Sequence, residues 1–163
     1  MPINALVYDI GMNNGDDTAY YLSLGFRVIA IEADPELVAK AKFRFLREIT
    51  EGRLTILNVG IAEKEGQLPF WICEKYSCFS SFHRDYASWE NSPTSEIKVP
   101  TVRFESILAK YGVPHFCKID IQGNELLCLQ DFGLTMFQRF FQSRLRVRKR
   151  LMHCMRLVTR SSN

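Results

Sequence analysis

The stretch VYDIGMNNGDDTAYYLSLGFRVIAIEADPELV (residues 7–38) decides the fold of this chain. It holds two apolar segments: the first runs into a loop with Gly11 and Gly15, and the second ends at Glu32. Short apolar runs that stop at such residues are typical of buried parallel strands. A loop that leaves the carboxyl end of a parallel strand points backbone N–H groups into the crevice above the sheet. We therefore predict that the loop and Glu32 face the same crevice.

Glycine and a carboxylate at these places indicate a nucleoside site. Glycine lets a ligand approach the backbone closely, and the carboxylate of Glu32 can accept hydrogen bonds from two ribose hydroxyls. The alternative is that the glycines only shape a turn and that Glu32 only ends a strand. We favour the nucleoside because the two features occur at mutually consistent spacing.

The composition of the loop favours one class of nucleoside ligand. A dinucleotide cofactor requires G-x-G-x-x-G, so that its pyrophosphate can sit at a helix N-terminus. Here Asn13 replaces the second glycine, and the carboxylates of Asp16 and Asp17 would repel a pyrophosphate. They are compatible with a ligand that carries an ammonium and a sulfonium. We therefore predict S-adenosyl-L-methionine rather than NAD as the cofactor.

The chain up to residue 130 alternates between strand and helix patterns. Predicted strands cover 5–10, 27–32, 53–60 and 115–121, and predicted helices cover 16–24, 35–49, 105–112 and 123–130. Two further strands are predicted at 68–73 and 97–104, the second at a sheet edge because of Pro100. The strand–helix–strand order implies parallel pairing with right-handed crossovers, and therefore an α/β fold.

Composition is typical of a globular protein and disfavours several other classes. The 163 residues are 47% hydrophobic, and no apolar run approaches the ~20 residues of a membrane helix. The N-terminus shows no export signal, so we expect a cytoplasmic protein. The five cysteines are odd in number and form no C-x-x-C pair, which favours buried reduced thiols over a zinc site.

The last part of the chain differs from the rest in charge. Residues 1–130 carry 13 basic and 17 acidic side chains, whereas residues 131–163 carry eight basic and one acidic. We predict that residues 131–163 form an atypical basic amphipathic helical tail. Such a tail could bind RNA or anionic lipid, cover a sheet edge, or stand in place of a lost C-terminus, which we favour. No nucleic-acid or membrane partner follows firmly, and an uncovered sheet edge would favour self-association.

Four stretches in consistent order make the chain resemble a known family. The pattern D-x-G-x-N-x-G followed by a threonine resembles the first motif of FkbM-type methyltransferases, a class I S-adenosylmethionine-dependent group. The residues of this motif are Asp9, Gly11, Asn13, Gly15 and Thr18. The other stretches that are similar to the family's are IEADPELV (31–38), NVGIAEKEGQLPFWI (58–72), and VPTVRFESIL (99–108) with KIDIQGNELLCL (118–129).

The resemblance implies a Rossmann-like class I methyltransferase sheet in three α/β/α layers, incomplete at its C-terminal side. Residues 1–130 would form the S-adenosyl-L-methionine-binding core. The first motif would line the methionine end of the cofactor, and Glu32 would bind the ribose hydroxyls. The loop from residue 58 to 62 would border the adenine, with Asn58, Gly60 and Ile61 as the cofactor-binding residues.

The resemblance also implies a reaction, because family members methylate hydroxyls, commonly on sugars or secondary metabolites. The expected partner is therefore a small hydroxylated acceptor. A hydroxyl is a weak nucleophile, so a base beside it would help. Our candidates are, in order, Asp120, Glu125 and His83, although each could serve only as a helix cap, a first-turn acidic residue or a local hydrogen-bond partner. Lys118 is expected to point to the opposite face of its strand from Asp120.

Other functions stay open at this point. The chain could be a catalytically impaired methyltransferase remnant, or an interaction module that uses its tail for RNA or anionic lipid. Gln122 is a variant within the family's last block and removes one candidate base. Trp71, Trp89, Phe79 and Phe82 could cover the cofactor or the acceptor, but we favour core packing for them.

Overall fold

The computed structural model describes residues 5–131, in which strands and helices alternate. In chain order the strands are β1 (Leu6–Ile10), β2 (Arg27–Ile31), β3 (Leu54–Leu57), β4 (Gly60–Ile61), β5 (Gly66–Cys73), β6 (Thr94–Val102) and β7 (Phe116–Ile119). The α-helices are α1 (Asp16–Ser23), α2 (Pro35–Arg44), α3 (Leu46–Thr50), α4 (Arg84–Ala87), α5 (Phe104–Tyr111) and α6 (Glu125–Asp131). Two 3-10 turns cover Ser77–Phe79 and Trp89–Asn91.

Four strands form a parallel sheet in the order β3-β2-β1-β7. β1 is buried along its whole length, and β2 is buried from Val28 to Ile31. A strand covered on both faces needs apolar residues at consecutive positions, which explains why both read as nearly continuous apolar runs. The predicted α/β class with a mostly parallel sheet is confirmed.

Helices cover both faces of this sheet. The register pairs Val7 with Val28, so Tyr8 points to the opposite face from Val28. The Val28 face packs against Leu22 of α1 and Ala41 of α2. The Tyr8 face packs against α5, where the ring of Phe104 meets the tyrosine edge to face at 6.1 Å. The predicted three-layer arrangement follows from this division.

β4, β6 and β5 form a second, three-stranded sheet with β6 in the middle. The prediction that this strand lies at an edge because of Pro100 was therefore wrong. β4 pairs only with Thr101 and Val102, so β5 alone runs beside Pro100. A proline is tolerated there because, among residues 5–131, the other side of β6 has no strand at that position that would need its N–H.

The predicted third strand also ends earlier than expected, at Leu57, and Gly60 belongs to the second sheet. The cause is Asn58. Its side-chain amide donates to the carbonyl oxygens of Glu32 and Ala33, each at 3.0 Å. A short amide side chain that bonds to the backbone competes with strand pairing, and here it turns the chain out of the parallel sheet.

The single helix predicted over 35–49 is two helices, which meet at Phe45. This residue has φ −110° and ψ 26°, outside the helical region. Its ring is buried and lies against Gly15, where a Cβ atom would be only 2.8 Å from the ring. Packing of one aromatic ring therefore overrides the helical preference of the surrounding sequence.

The predicted helical tail, residues 131–163, lies outside the described residues except for Asp131. The tail and the domain boundary after residue 130 therefore stay predictions. In the described part, β7 pairs with β1 alone, and the predicted self-association through a sheet edge also stays a prediction. No helix among residues 5–131 combines the length and apolarity that crossing a membrane requires.

Candidate functional site

The loop after β1 meets the end of β2, as the sequence predicted. The backbone N–H groups of Gly11 and Met12 both donate to the carbonyl oxygen of Ile31, at 2.9 and 3.0 Å. Gly11 and Gly15 have φ angles of +79° and +80°, which glycine adopts without steric cost. The loop is therefore held beside Glu32 by backbone bonds, at the carboxyl ends of two adjacent parallel strands.

Glu32 anchors this loop with its side chain. Its Oε2 accepts a hydrogen bond from the backbone N–H of Asn13 at 2.8 Å, and its Oε1 accepts one from that of Asp34 at 3.0 Å. Burial raises the pKa of Glu32, and these two bonds oppose the rise. Each carboxylate oxygen retains further acceptor capacity for a ligand hydroxyl. The sequence indicated a ligand contact, but it did not indicate the anchoring role.

Asp9 and Thr18 are fully buried and bond to each other. Thr18 Oγ1 donates to Asp9 Oδ2 at 2.6 Å, which ties the end of β1 to α1. The other oxygen of Asp9 lies 3.2 Å from Nζ of Lys118, an ion pair without well-aligned hydrogen-bond geometry. Both residues thus support the loop from within the protein, and their direct contact with a ligand stays a prediction.

Lys118 belongs to the site, and the expectation that it points away was wrong. Residues two apart on a strand share a face, so the predicted strand 115–121 should have placed Lys118 and Asp120 on one face. In the structure β7 ends at Ile119, and Lys118 is aligned with Asp9 of β1. The ammonium group of Lys118 donates to the carbonyl oxygen of Gly11 and lies 4.0 Å from Asp17 Oδ2. The alternation rule, applied correctly, would have found this residue in the sequence.

The turn after β7 packs directly on the glycine loop. The backbone N–H of Asp120 donates to the carbonyl of Ile10 at 2.9 Å. A Cβ atom on Gly11 would lie 1.9 Å from the carbonyl oxygen of Asp120, so only glycine fits there. Asp120 is partly open to solvent, yet the surrounding protein raises the pKa of its carboxyl, while the charge of Lys118 acts to lower it.

The other two candidate bases contact the same turn but have structural partners. Both carboxylate oxygens of Glu125 accept from the backbone N–H of Gly123, at 3.0 and 3.3 Å, which holds the turn that precedes α6. His83 Nε2 lies 3.2 Å from Asn124 Oδ1, and its ring fills the space beside Gly123. Asp120, Glu125 and His83 therefore all lie at the turn after β7.

The segment between β5 and β6, residues 74–93, joins the two loops of the site. Ser77 Oγ donates to the side chain of Asn13 at 2.7 Å, and the buried Ser81 donates to the carbonyl of Gln122 at 2.7 Å. The rings of Phe79 and Trp89 stack 5.2 Å apart in this segment, but Trp89 is exposed, so the core packing predicted for it was wrong. No sequence signal identified the two serines, because a single hydroxyl in a polar loop has no recognisable pattern.

The three residues predicted to border the adenine have different surroundings. Asn58 holds the carbonyls after β2, as described above. Gly60 lies under Phe82, since a Cβ atom there would be 2.2 Å from the ring, and Phe82 packs in turn on Phe70. Ile61 is buried, and its carbonyl accepts from the side chain of Asn124 at 3.0 Å. Contacts of these residues with an adenine stay predictions.

Comparison with known proteins identifies the family of this chain. A model of the methyltransferase FkbM domain matches residues 9–146. The chain belongs to this family. The crystal structure of methyltransferase FkbM from Methylobacillus flagellatus KT matches with a TM-score of 0.56 and 18% identity, over 83% of this chain and 30% of that one. No curated protein matches the chain.

A second solved structure also matches part of this FkbM-domain chain. It is the Burkholderia thailandensis 1,6-didemethyltoxoflavin-N1-methyltransferase with bound 1,6-didemethyltoxoflavin and S-adenosylhomocysteine. The identity is 31% over 39% of this chain and 26% of that one, with a TM-score of 0.29. The chain thus spans less than a third of the length of either solved protein. The Methylobacillus structure supports the fold of the FkbM domain.

Gln122 lies two residues after Asp120, in the turn that follows β7. Its backbone has φ +47°, and its side-chain amide donates to Asp120 Oδ1 at 3.1 Å. A glutamate at this position would instead face Asp120 with a second negative charge. The amide of Gln122 therefore adds no negative charge beside Asp120.

Within residues 5–131, no three His, Cys, Asp or Glu side chains are grouped as a metal site would require.

Proposed function

We propose that this chain is an S-adenosyl-L-methionine-dependent methyltransferase that methylates a hydroxyl of a sugar or secondary metabolite. One observation carries the proposal: the glycine loop and the carboxylate of Glu32 meet at the carboxyl ends of β1 and β2, joined by the bond from Asn13 N to Glu32 Oε2. In open α/β sheets, ligands bind in this crevice. Membership of the FkbM family supports the reaction class.

The residues present fit such a cofactor. Glu32 retains acceptor capacity that suits two ribose hydroxyls. Asp9, Asp17 and Asp120 give the loop region a negative charge that suits the ammonium and sulfonium groups of the ligand. When bound, S-adenosyl-L-methionine would supply an activated methyl group. The protein would then have to position the acceptor and take up its proton.

Asp120 is the residue we assign as the base. It is partly exposed, and its turn packs on the glycine loop, whereas Glu125 and His83 are engaged with Gly123 and Asn124. A raised pKa makes a carboxylate a better proton acceptor near neutral pH. The acceptor is a small hydroxylated molecule, and the segment at residues 74–93 borders the space beside the loop.

We also place the protein in the cytoplasm. Cys73, Cys117 and Cys128 are buried, as predicted, whereas Cys78 is only half-buried, and burial raises the pKa of the Cys117 thiol. Reduced cysteines are typical of proteins in reducing compartments. Visualising a tagged chain together with compartment markers would test this assignment, which fails if the protein is found outside the cytoplasm.

Calorimetric titration with S-adenosylhomocysteine tests the cofactor. We expect the wild-type chain to bind and Glu32→Ala to bind at least about tenfold more weakly, because hydrogen bonds to a charged group are lost. Glu36→Ala is the matched control, since that carboxylate is exposed on α2 and forms only a surface pair with Lys40. A wild-type chain that does not bind, or equal binding by Glu32→Ala, would refute the assignment.

Transfer of a labelled methyl group tests the reaction. The acceptors are offered as matched pairs of small sugars and phenols that differ only in a hydroxyl or an amine. We expect label on the hydroxyl compounds alone. Label on the amines alone would refute O-methylation while leaving methyltransferase activity in place, and no transfer by a chain that binds the cofactor would indicate the impaired remnant.

A further inference from the structure

The ammonium group of Lys118 lies among acidic groups at the base of the glycine loop. It is 3.2 Å from Asp9 Oδ1 and 4.0 Å from Asp17 Oδ2, and it donates to the carbonyl oxygen of Gly11. The side chain is only 14% exposed, and Asp9 is fully buried. Interactions of such a charge are weakly screened by solvent, so it acts on whatever occupies the crevice.

The carboxylates around the loop outnumber this lysine. Asp9 and Asp17 flank it directly, and Asp120 lies just past the end of β7, close enough for the charge of Lys118 to act on its pKa. Glu32 is bonded to the loop through Asn13. The charge of Lys118 acts to lower the pKa of both Glu32 and Asp120, so its field reaches both sides of the crevice.

A further ion pair lies at the loop but does not change the balance of charges around Lys118. Arg44 contacts Asp16 at 3.0 Å, and both side chains are largely exposed. Its two charges cancel formally, and solvent screens them. Among residues 5–131, the four carboxylates of Asp9, Asp17, Glu32 and Asp120 therefore surround the ammonium group of Lys118 at the loop.

We propose that Lys118 sets how strongly this site prefers a cationic sulfonium ligand over its neutral thioether product. The inference rests on the proposed function, because the two ligands are S-adenosylmethionine and S-adenosylhomocysteine. They differ by one methyl group and one positive charge, so their affinity ratio isolates the response of the site to charge. An acidic crevice favours the sulfonium, and Lys118 offsets part of that preference.

The test is a charge series in which the affinities for both ligands are measured by calorimetry, at low salt and about pH 8, above the usual range of carboxyl titration. Lys118→Met removes a positive charge, and we expect it to shift the ratio toward the sulfonium by about two- to tenfold. Asp9→Asn removes a negative charge and should shift the ratio the opposite way. The double variant Asp9→Asn/Lys118→Met and the single variant Lys118→Arg both keep the net charge. Their affinity ratios should therefore match that of the wild type.

Controls separate this role from a structural one. Lys42→Met changes the net charge equally, but on the exposed surface of α2, so the ratio should not move. Raised salt should shrink the shifts. A ratio that stays constant in folded Lys118→Met would overturn the proposal. If Lys118→Met does not fold, the comparison of Asp9→Asn with Asp9→Asn/Lys118→Met decides, and equal ratios for these two variants would overturn the proposal. A wild-type chain that binds neither ligand would instead refute the proposed function.

Discussion

Glu32 shows how one residue can serve both structure and ligand binding. Its carboxylate accepts from the backbone of Asn13 on the loop and from that of Asp34 at the start of α2. The residue is 8% exposed, so its charge is held largely by these backbone bonds. A glutamate at the end of β2 thus fixes the loop in the place where it also offers acceptors to a ligand.

The buried carboxyl of Glu32 should also make the stability of the protein depend on pH. Burial raises its pKa in the folded protein above the ordinary 4.5 of the unfolded chain. Between these two pKa values the folded protein holds a proton that the unfolded chain has lost, so the free energy of unfolding falls as pH rises. We expect this contribution to be absent from Glu32→Gln.

The measurement is urea unfolding of both proteins at a series of pH values above 4.5. The free energy of unfolding of the wild type, minus that of Glu32→Gln, should decrease as pH rises through the window and then level off. Other titrating groups are common to both chains and cancel. Parallel curves for the two proteins would show that the carboxyl does not titrate as its burial requires.

Asp120 provides a second prediction at the scale of one residue. As the assigned base, Asp120→Asn should lower kcat by about 10²- to 10³-fold. The affinity for S-adenosylhomocysteine should change little, and the limb of the rate profile that rises with pH should disappear. Glu125→Gln is the matched control, and we expect a small effect on kcat because Glu125 bonds to the backbone of Gly123 in the turn before α6. A larger loss in Glu125→Gln than in Asp120→Asn would reverse the assignment.

At the scale of elements, local sequence signals determined some boundaries and not others. Asp34, which directly precedes Pro35 in the sequence, caps α2 and accepts from the N–H groups of Glu36 and Leu37. The break at Phe45 and the early end of β3 at Leu57 were not predicted. Both depend on partners distant in sequence, since Phe45 packs on Gly15 and the bonds of Asn58 go to residues 32 and 33.

Ser81, in the segment at residues 74–93, should contribute to the stability of the fold. This buried hydroxyl donates to the carbonyl of Gln122 and accepts from the N–H of His83. Ser81→Ala leaves both groups without that partner, and we expect a loss of about 1–3 kcal/mol in the free energy of unfolding. Ser88→Ala removes only a local bond on α4 and should cost less than about 0.5 kcal/mol. Equal midpoints in urea for the two variants would contradict this role.

For the whole molecule, the Asp9–Lys118 pair joins β1 to β7 across more than a hundred residues of sequence. Lys118→Met would leave the buried carboxylate of Asp9 without its cation, and we expect a loss of about 3–5 kcal/mol in the free energy of unfolding. Asp9→Asn/Lys118→Met removes both charges and should recover much of that loss. Urea unfolding measures both, and a double variant no more stable than the single one would argue against the pair.

The site as a whole assembles from parts that are far apart in sequence. The loop after β1, the end of β2, the turn after β7 and the segment at residues 74–93 meet at the carboxyl ends of the parallel strands. Parallel strands bring all these ends to one edge of the sheet, which is why short motifs separated by many residues could be assigned to one crevice.

By itself, the sequence determined the α/β class, the two leading strands, the glycine loop beside Glu32 and the family resemblance. These features follow from local periodicity and from the need for glycine where the backbone turns sharply and packs closely. Only the tertiary structure decided that Asn58 ends β3 early, that Phe45 divides a helix and that β6 is a central strand. Each of these depends on contacts between residues distant in the chain, and such contacts leave no periodic pattern in the sequence.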